Sequence, residues 1–539
     1  MRSRGLIRRQ VGRFHRLYEG RAARRLAKFG RRCASGDKRR RAEADRLYAH
    51  ERLLPWGVAL IALVIIAAFQ AAHASAPQMM PPVSSPPSTP VPTGAPVPVA
   101  LVEAVAIGLR SNRGIRSAYL ERVAQKFDLR VAESRFFPRL DIAAGVNVEQ
   151  FGDESETNSS LTPTVSWFAP TGANVAFVWD RRTREGLGGD ASETSTLSVS
   201  QPLLRGGGLA VARSPLRVAR LQEEVNRLGL EATVINTVTS IILSYRTLVQ
   251  AQEQVRLSMI ARERTRDLLE TNRALIDAGR MAAADIVQTE SQLANQEVAV
   301  LQAEQAKISA QLALLQLLAV SPRTNIEATD AIDVEYVSID LEETIDLALA
   351  SRTDVRAQAI ALVQNEENLR LARNNRLWSL SVFGRVSRQD GFDAPFNSGA
   401  SRTDSAAGLQ LDIPIGDFSL RQGEIRARTQ VRTGELRFDE LLQSVEAQIR
   451  DAVQRVDASW LQVQAARRAR RLSERALELE REKFRAGRAS NFEVLSFEAD
   501  LQNADTQELN AEITYLNALT ALDQQIGSTL RTWRIVLND

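Results

Sequence analysis

Two kinds of hydrophobic spacing alternate along this chain, and the alternation runs twice. From Val99 to about Phe136, Val102, Val105, Ala106 and Leu109, then Val123, Phe127 and Val131, recur at helical intervals until Pro138 ends the pattern. Asp141–Glu149 then alternates strictly. Ile142, Ala144, Val146 and Val148 share one face, and Asp141, Ala143, Gly145, Asn147 and Glu149 share the other, as in a strand. Two aromatic runs flank Pro170, Thr171 and Gly172 within Thr157–Arg181 and suggest an extra hairpin, and Arg184–Asp190 reads as a Gly-rich polar loop. Thr196–Leu204 alternates again, and Gly206, Gly207 and Gly208 end it.

No proline separates Pro215 from Pro322. Leu216–Ala278 reads as a single helix of about 63 residues, roughly 95 Å long at 1.5 Å per residue. Gly279 permits a turn, and Ala282–Val320 returns as a second helix. The programme then repeats. Leu341–Leu377 is helical, Leu380–Ser387 alternates, a polar loop spans Gly391–Asp404, and Gly408–Ile415 alternates with Leu409, Leu411 and Ile413 on one side. Leu420–Ala486 is another proline-free helix, which turns at Gly487 and returns as Asn491–Ile526. Helices this long persist in water only by packing side by side.

The repeat is visible residue by residue. Leu101–Leu140 aligns without a gap onto Leu341–Leu380, and AGRMAAADIVQTESQLAN from Ala278 returns as AGRASNFEVLSFEADLQN from Ala486. Copies of about 200 residues are too large for solenoid units, so a domain-scale architecture is duplicated. The chain divides into a basic arm (1–52), an export segment (53–76), a Pro-rich linker (77–98), a first repeat (99–322), a linker (323–340), a second repeat (341–527) and a tail (528–539).

Charge sharpens this picture at the N-terminus. Of 69 Lys/Arg and 65 Asp/Glu residues, 18 and 5 lie in residues 1–52, which leaves 51 and 60 in an acidic body. The arm precedes an uncharged apolar run, Leu53–Phe69, and Ala72-His73-Ala74 offers a small-x-small site for cleavage before Ser75. An uncleaved signal anchor is the other reading; the arm is either a genuine extension or the product of a start assigned too far upstream. Basic charge ahead of an export signal is explained by topology, so nucleic acid is not an expected partner. The only cysteine, Cys33, lies in the arm, and the only histidines, His15, His50 and His73, precede Ser75. The body therefore has no thiol or imidazole for a disulfide, a zinc site or a catalytic triad, and Gly206–Gly208 lack the Lys-Ser/Thr of a phosphate loop. No catalytic residue, metal or cofactor is expected.

Strands in the middle of long helices need an explanation. One apolar and one polar face suit a sheet between lipid and water, and segments of 8–10 residues can cross a bilayer. Four strands cannot close alone in lipid, so several chains must contribute; a symmetric trimer supplies twelve strands and twelve helices. The expected fold is mostly α with membrane β: duplicated long-helix coiled-coil hairpins, four β-strands per protomer, a trimeric 12-stranded β-barrel and an α-helical tunnel.

Several motifs carry a resemblance. They are AV..GL..N from Ala104 to Asn112, SQPLLRGGG at Ser200–Gly208, its weaker partner LDIPIGDFSLRQGEI at Leu411–Ile425, and the two AGR turns. In this order, with the duplication, residues 99–527 resemble the TolC family of outer-membrane efflux proteins. The resemblance implies a homotrimer in the outer membrane of a Gram-negative cell. It would dock onto a periplasmic adaptor and an inner-membrane transporter, of the RND or ABC type, and pass substrates without doing chemistry. The family's helix tips contact the adaptor, which points to Ala278, Gly279 and Arg280 and to Ala486, Gly487 and Arg488; the plainer reading is that these glycines only allow the helices to end. Carboxylate rings narrow the family's periplasmic mouth. Glu493 matches one such position and Asp285 is its counterpart, but Ser496 stands where a second acid is expected. A periplasmic adaptor with one coiled-coil hairpin is the alternative function; it leaves the second hairpin unexplained. The substrate is not legible.

Overall fold

The computed structural model describes residues 95–152, 154–185, 190–393 and 398–537. The expectations for the arm, the apolar run, its cleavage, Cys33 and the three histidines lie outside them. The first repeat opens with β1 (Val97–Val99), α1 (Leu101–Ser111) and α2 (Arg113–Ser134), and continues through four strands, β2 (Arg139–Phe151), β3 (Glu154–Phe168), β4 (Asn174–Glu185) and β5 (Asp190–Pro202). A short α3 (Leu209–Ala212) leads into the long α4 (Ser214–Asp277), a 3-10 turn (Ala283–Asp285) and α5 (Ile286–Leu318). After β6 (Ile326–Ala328) the second repeat supplies α6 (Leu341–Ser351), α7 (Thr353–Asn375), β7 (Ser379–Asp393), β8 (Ser398–Asp412), α8 (Ser419–Arg485), α9 (Asn491–Ile526) and the short α10 (Thr529–Thr532).

The long helices match their expected bounds within a few residues, and α9 matches to the residue. Each repeat's opening helix is instead broken in two. Asn112 leaves helical geometry and its side chain accepts a bond from the Ile115 amide at 3.1 Å, capping α2, while Arg352 breaks the second copy at the aligned position. The end of the Pro-rich segment is also structured: β1 pairs in parallel with β6, Val97 opposite Ile326.

Duplication extends to packing. Val105, Gly108 and Ile115 are buried in the first copy, and their counterparts Ile345, Ala348 and Val355 are buried in the second. One core gathers Val234, Val238, Ile241 and Ile242 of α4 with Leu314, Leu315 and Leu318 of α5; the other gathers Val445, Ile449 and Val456 of α8 with Tyr515 and Leu522 of α9. Each core ends in a fully buried tyrosine that holds the linker between repeats. The Tyr245 hydroxyl lies 2.6 Å from Asp330 and 2.9 Å from the Val99 carbonyl, and that of Tyr515 donates to the Glu335 carbonyl at 2.9 Å. Burial, then the bond to Asp330, pushes the Tyr245 phenol up to about 12, so it stays a donor at any physiological pH. The hairpins are joined by the half-buried Arg246 of α4, which donates to the Leu516 carbonyl and the Thr520 hydroxyl of α9; burial lowers its guanidinium to about 10.

The expectation of four strands is corrected. One antiparallel sheet has the order β2-β3-β4-β5-β7-β8, six strands of 12 to 15 residues each, because the extra hairpin joins the sheet as β3 and β4. Both ends of the first supposed polar loop and much of the second are also strand: β4 runs to Glu185, β5 starts at Asp190, β7 runs to Asp393, and β8 starts at Ser398.

Candidate transport path: strand wall and helix tips

Register assigns every strand residue to one of two faces. Leu140 of β2 stands opposite Val165 of β3, Val165 opposite Phe177 of β4, Phe177 opposite Leu197 of β5, and Leu197 opposite Val386 of β7. Ile142, Val146, Val148, Trp167, Val175, Val199, Val382, Leu409 and Leu411 share this face by alternation, and most are exposed. The opposite face carries Asp141, Thr164, Val178, Thr196, Ser387 and Asp404 in a single cross-strand row, polar except at Val178. Two bonds cross strands on it: Thr162 Oγ1 donates to Asp180 at 2.6 Å, and the Thr196 and Ser387 hydroxyls lie 3.0 Å apart, while Arg182 pairs with Asp180 along β4 at 2.9 Å. On β2 the apolar face spans Leu140 to Val148, about 27 Å at 3.4 Å per residue, which is the height of an outer-membrane apolar band.

Aromatic side chains ring the junction between strands and helices. Trp167 donates its indole N–H to the Phe136 carbonyl at 2.9 Å, the Phe136 and Phe168 rings lie 5.9 Å apart, and Arg135 sits 4.7 Å over Phe168. Phe137, Trp378 and Phe418 are exposed there, as expected of a girdle at a lipid–water boundary.

Two edges stay unpaired at every level. In the sheet these are β2 and β8. Below it, α2 packs on α4, α4 on α7 and α7 on α8; farther down, α5 packs on α4, α4 on α9 and α9 on α8. One side of the layer is therefore β2, α2 and α5, and the other is β8 and α8. Exposed apolar side chains follow both sides: Leu120, Val123, Phe127 and Val131 on α2, Val298 and Leu301 on α5, and Leu436, Leu461 and Leu472 on α8.

The helix tips are built alike. Gly279 adopts φ +69° and Gly487 φ +73°. In the first tip Gly279 N donates to Ile276 O at 2.9 Å and Arg280 N to Leu275 O at 2.8 Å; in the second, Gly487 N donates to Phe484 O at 2.9 Å and Arg488 N to Lys483 O at 2.8 Å. Both are Schellman ends, in which positive φ favours glycine. Ala278, Gly279, Arg280, Ala486, Gly487 and Arg488 are all exposed, and the Arg280 guanidinium reaches the Arg485 carbonyl at 3.4 Å. The structure thus brings the two candidate turns together at one end of the protein.

Glu493 also closes a capping box, for which Ser490-x-x-Glu493 has the required spacing. Its carboxylate turns back onto its own helix start, accepting the Ser490 N–H at 2.6 Å and the Ser490 hydroxyl at 2.9 Å, while Glu493 N donates to Ser490 Oγ at 3.2 Å. The Ser490 backbone bond, then its hydroxyl, and more weakly the charge of Lys483, hold the carboxyl below its usual range, so Glu493 is charged at neutral pH. Asp285 lies exposed on the neighbouring tip.

Sequence spacing missed a fully buried polar knot just behind the tips. Asn272 of α4 donates to Thr289 of α5 at 2.8 Å and to Asn491 of α9 at 2.9 Å, and Asn491 donates to Thr289 at 2.9 Å. Two asparagines and a threonine at apolar helix positions were its only trace. Phe492 and Val287 were also missed; they are exposed beside the tips, where helical spacing favours polar residues.

Comparisons with known proteins agree with this geometry. The model of the outer membrane efflux protein family matches residues 108–320 and 344–528. No curated protein sequence matches the chain. Among solved structures, the outer membrane channel CmeC of Campylobacter jejuni is similar at TM-score 0.61 and 16% identity, covering 80% of this chain and 86% of its own. VceC, an outer membrane protein of Vibrio cholerae, gives 0.61 and 16%, covering 79% and 96%. The MtrE outer membrane channel of Neisseria gonorrhoeae gives 0.58 and 18%, covering 79% and 88%. With both of its repeats matched, this chain belongs to the outer membrane efflux protein family, the efflux channels of the outer membrane.

Proposed function

We propose that three copies of this chain assemble into the outer-membrane duct of a tripartite export system. The duct passes substrates handed over by an inner-membrane transporter and a periplasmic adaptor, and does no chemistry of its own. One observation carries the reading: a two-faced sheet with an apolar face toward lipid ends in two unpaired edges, and the helices beneath it end on the same two sides. An open edge is not tolerated in hydrocarbon, so β2 of one copy must meet β8 of the next, and their antiparallel directions permit it. A periplasmic adaptor has no use for such a face. The tips Ala278–Arg280 and Ala486–Arg488, with Phe492 and Val287 beside them, form the surface offered to the adaptor. In membrane fractionation the protein should sediment with the outer membrane and run as a detergent-resistant trimer; a monomer in the soluble or inner-membrane fraction overturns the duct.

Glu493 and Asp285 supply the acidic ring at the periplasmic mouth, three copies of each around the axis repelling one another and attracting cations. Glu493→Gln tests this cleanly, because glutamine also serves the third helical position of a capping box. In planar-bilayer recordings the variant should lose part of its cation preference with thermal stability near wild type. Unchanged selectivity removes Glu493 from the mouth.

A further inference from the structure

We propose that the hairpin Glu154–Glu185 is part of the membrane wall, so that three copies close an 18-stranded barrel sized for hydrated cargo broader than a twelve-stranded wall admits. The inference rests on the trimeric reading above. Three independent features support it.

The added strands have the wall's two faces. Val165 and Phe177 stand in the apolar row between Leu140 and Leu197, while Thr164 stands in the other row, between Asp141 and Val178, which faces Thr196. A flap folded over a barrel has no reason to match its neighbours row for row.

The hairpin's lower turn is also seated. The Gly208 amide donates to the Thr171 carbonyl at 3.1 Å, Gln201 Nε2 donates to the same oxygen at 3.2 Å, and the Thr171 hydroxyl donates to Gln201 Oε1 at 3.0 Å. Gly172, at φ +95°, lies so close that an added Cβ would come within 2.5 Å of the Gly206 carbonyl. The glycine run that ends β5 is thus the receptor of the extra turn.

Circumference gives the third support. Twelve helices in a ring at about 9–10 Å spacing have a radius of about 17–19 Å. Strands about 4.8 Å apart and tilted about 40° close at a backbone radius of about 18 Å for eighteen strands but only about 12 Å for twelve. Six strands over four helices in each copy therefore let barrel and tunnel meet at nearly equal width, and barrels of 16–18 strands keep an aqueous channel.

Cryo-electron microscopy of the full-length protein in lipid nanodiscs tests this directly. Eighteen strands at a radius near 18 Å are expected. A trimer with twelve strands in its wall, and the hairpin outside it or folded into the lumen, overturns this inference and leaves the duct standing; a particle that is not a trimer overturns both. A second measurement uses polymer exclusion in planar bilayers. Deleting residues 154–185 rejoins β2 to β5 through a six-residue loop and should lower the size limit for polymers entering from the strand side by about one-third, following the radius ratio. An unchanged limit in a trimeric deletion variant overturns the wide wall.

Discussion

Ile142→Arg should destabilise the membrane-inserted protein by about 2–4 kcal/mol, whereas Ala143→Arg, one residue along the same strand, should change stability by less than about 1 kcal/mol. The contrast follows from register alone. Ile142 lies on the apolar face, 65% exposed in the single chain and so facing lipid in the proposed assembly, about a quarter of the way along the apolar stretch of β2. A guanidinium there must leave water or drag water and headgroups inward. Ala143 lies on the other face, directly opposite Thr162, whose hydroxyl binds Asp180. An arginine at 143 enters a hydrated surface with a carboxylate nearby. Urea titration of folding into lipid vesicles measures both values. Equal costs would mean that the sheet does not separate lipid from water.

The same two-face logic explains what could be read from sequence and what could not. Where one face meets lipid and the other water, alternation is enforced, and Asp141–Glu149 and Leu380–Ser387 were legible as strands for that reason. Beyond the lipid band both faces meet water and no alternation is required. Ser398–Asp404 is strand in the structure yet reads as a polar loop, and β3 begins at Glu154, three residues ahead of the segment that reads as a hairpin. The long helices were legible because nothing interrupts their spacing, and their ends because Gly279 and Gly487 supply the only positive φ at the tips. The breaks at Asn112 and Arg352 were not, since apolar spacing continues across both. At the tips, the family resemblance pointed to Glu493 but not to its bond with Ser490, and the knot of Asn272, Thr289 and Asn491 joins helices whose pairing only the fold reveals.

Behind the second tip, Arg481→Met should cost about 3–5 kcal/mol at neutral pH, with a pH dependence that identifies the cause. Arg481 Nη2 lies 2.7 Å from Glu498 Oε1 across the α8–α9 hairpin, and the Glu498 side chain is only 9% exposed. Burial raises the Glu498 carboxyl above its usual range, against the opposing pull of Arg481 and the more distant Arg264, and Asp267 adds to the rise. The folded protein therefore holds this proton more tightly than the unfolded chain does. Stability from this group is greatest when both states are protonated, below the ordinary carboxylate range, and is lost as pH rises through the raised folded value. In the wild type Arg481 offsets part of that loss. Methionine keeps the apolar stem and removes the charge, leaving Glu498 buried opposite a thioether, so the raised value climbs further and the loss deepens as pH increases. Below about pH 4 the penalty should shrink to that of one hydrogen bond, about 1 kcal/mol. Adding Glu498→Leu to Arg481→Met removes the stranded carboxylate and should restore most of the stability with no pH slope from this site. Unfolding midpoints of the three variants between pH 4 and 8 decide the matter: if Arg481→Met follows the wild-type slope, Glu498 draws its compensation from elsewhere, and Arg264 across on α4 is the cation to replace next.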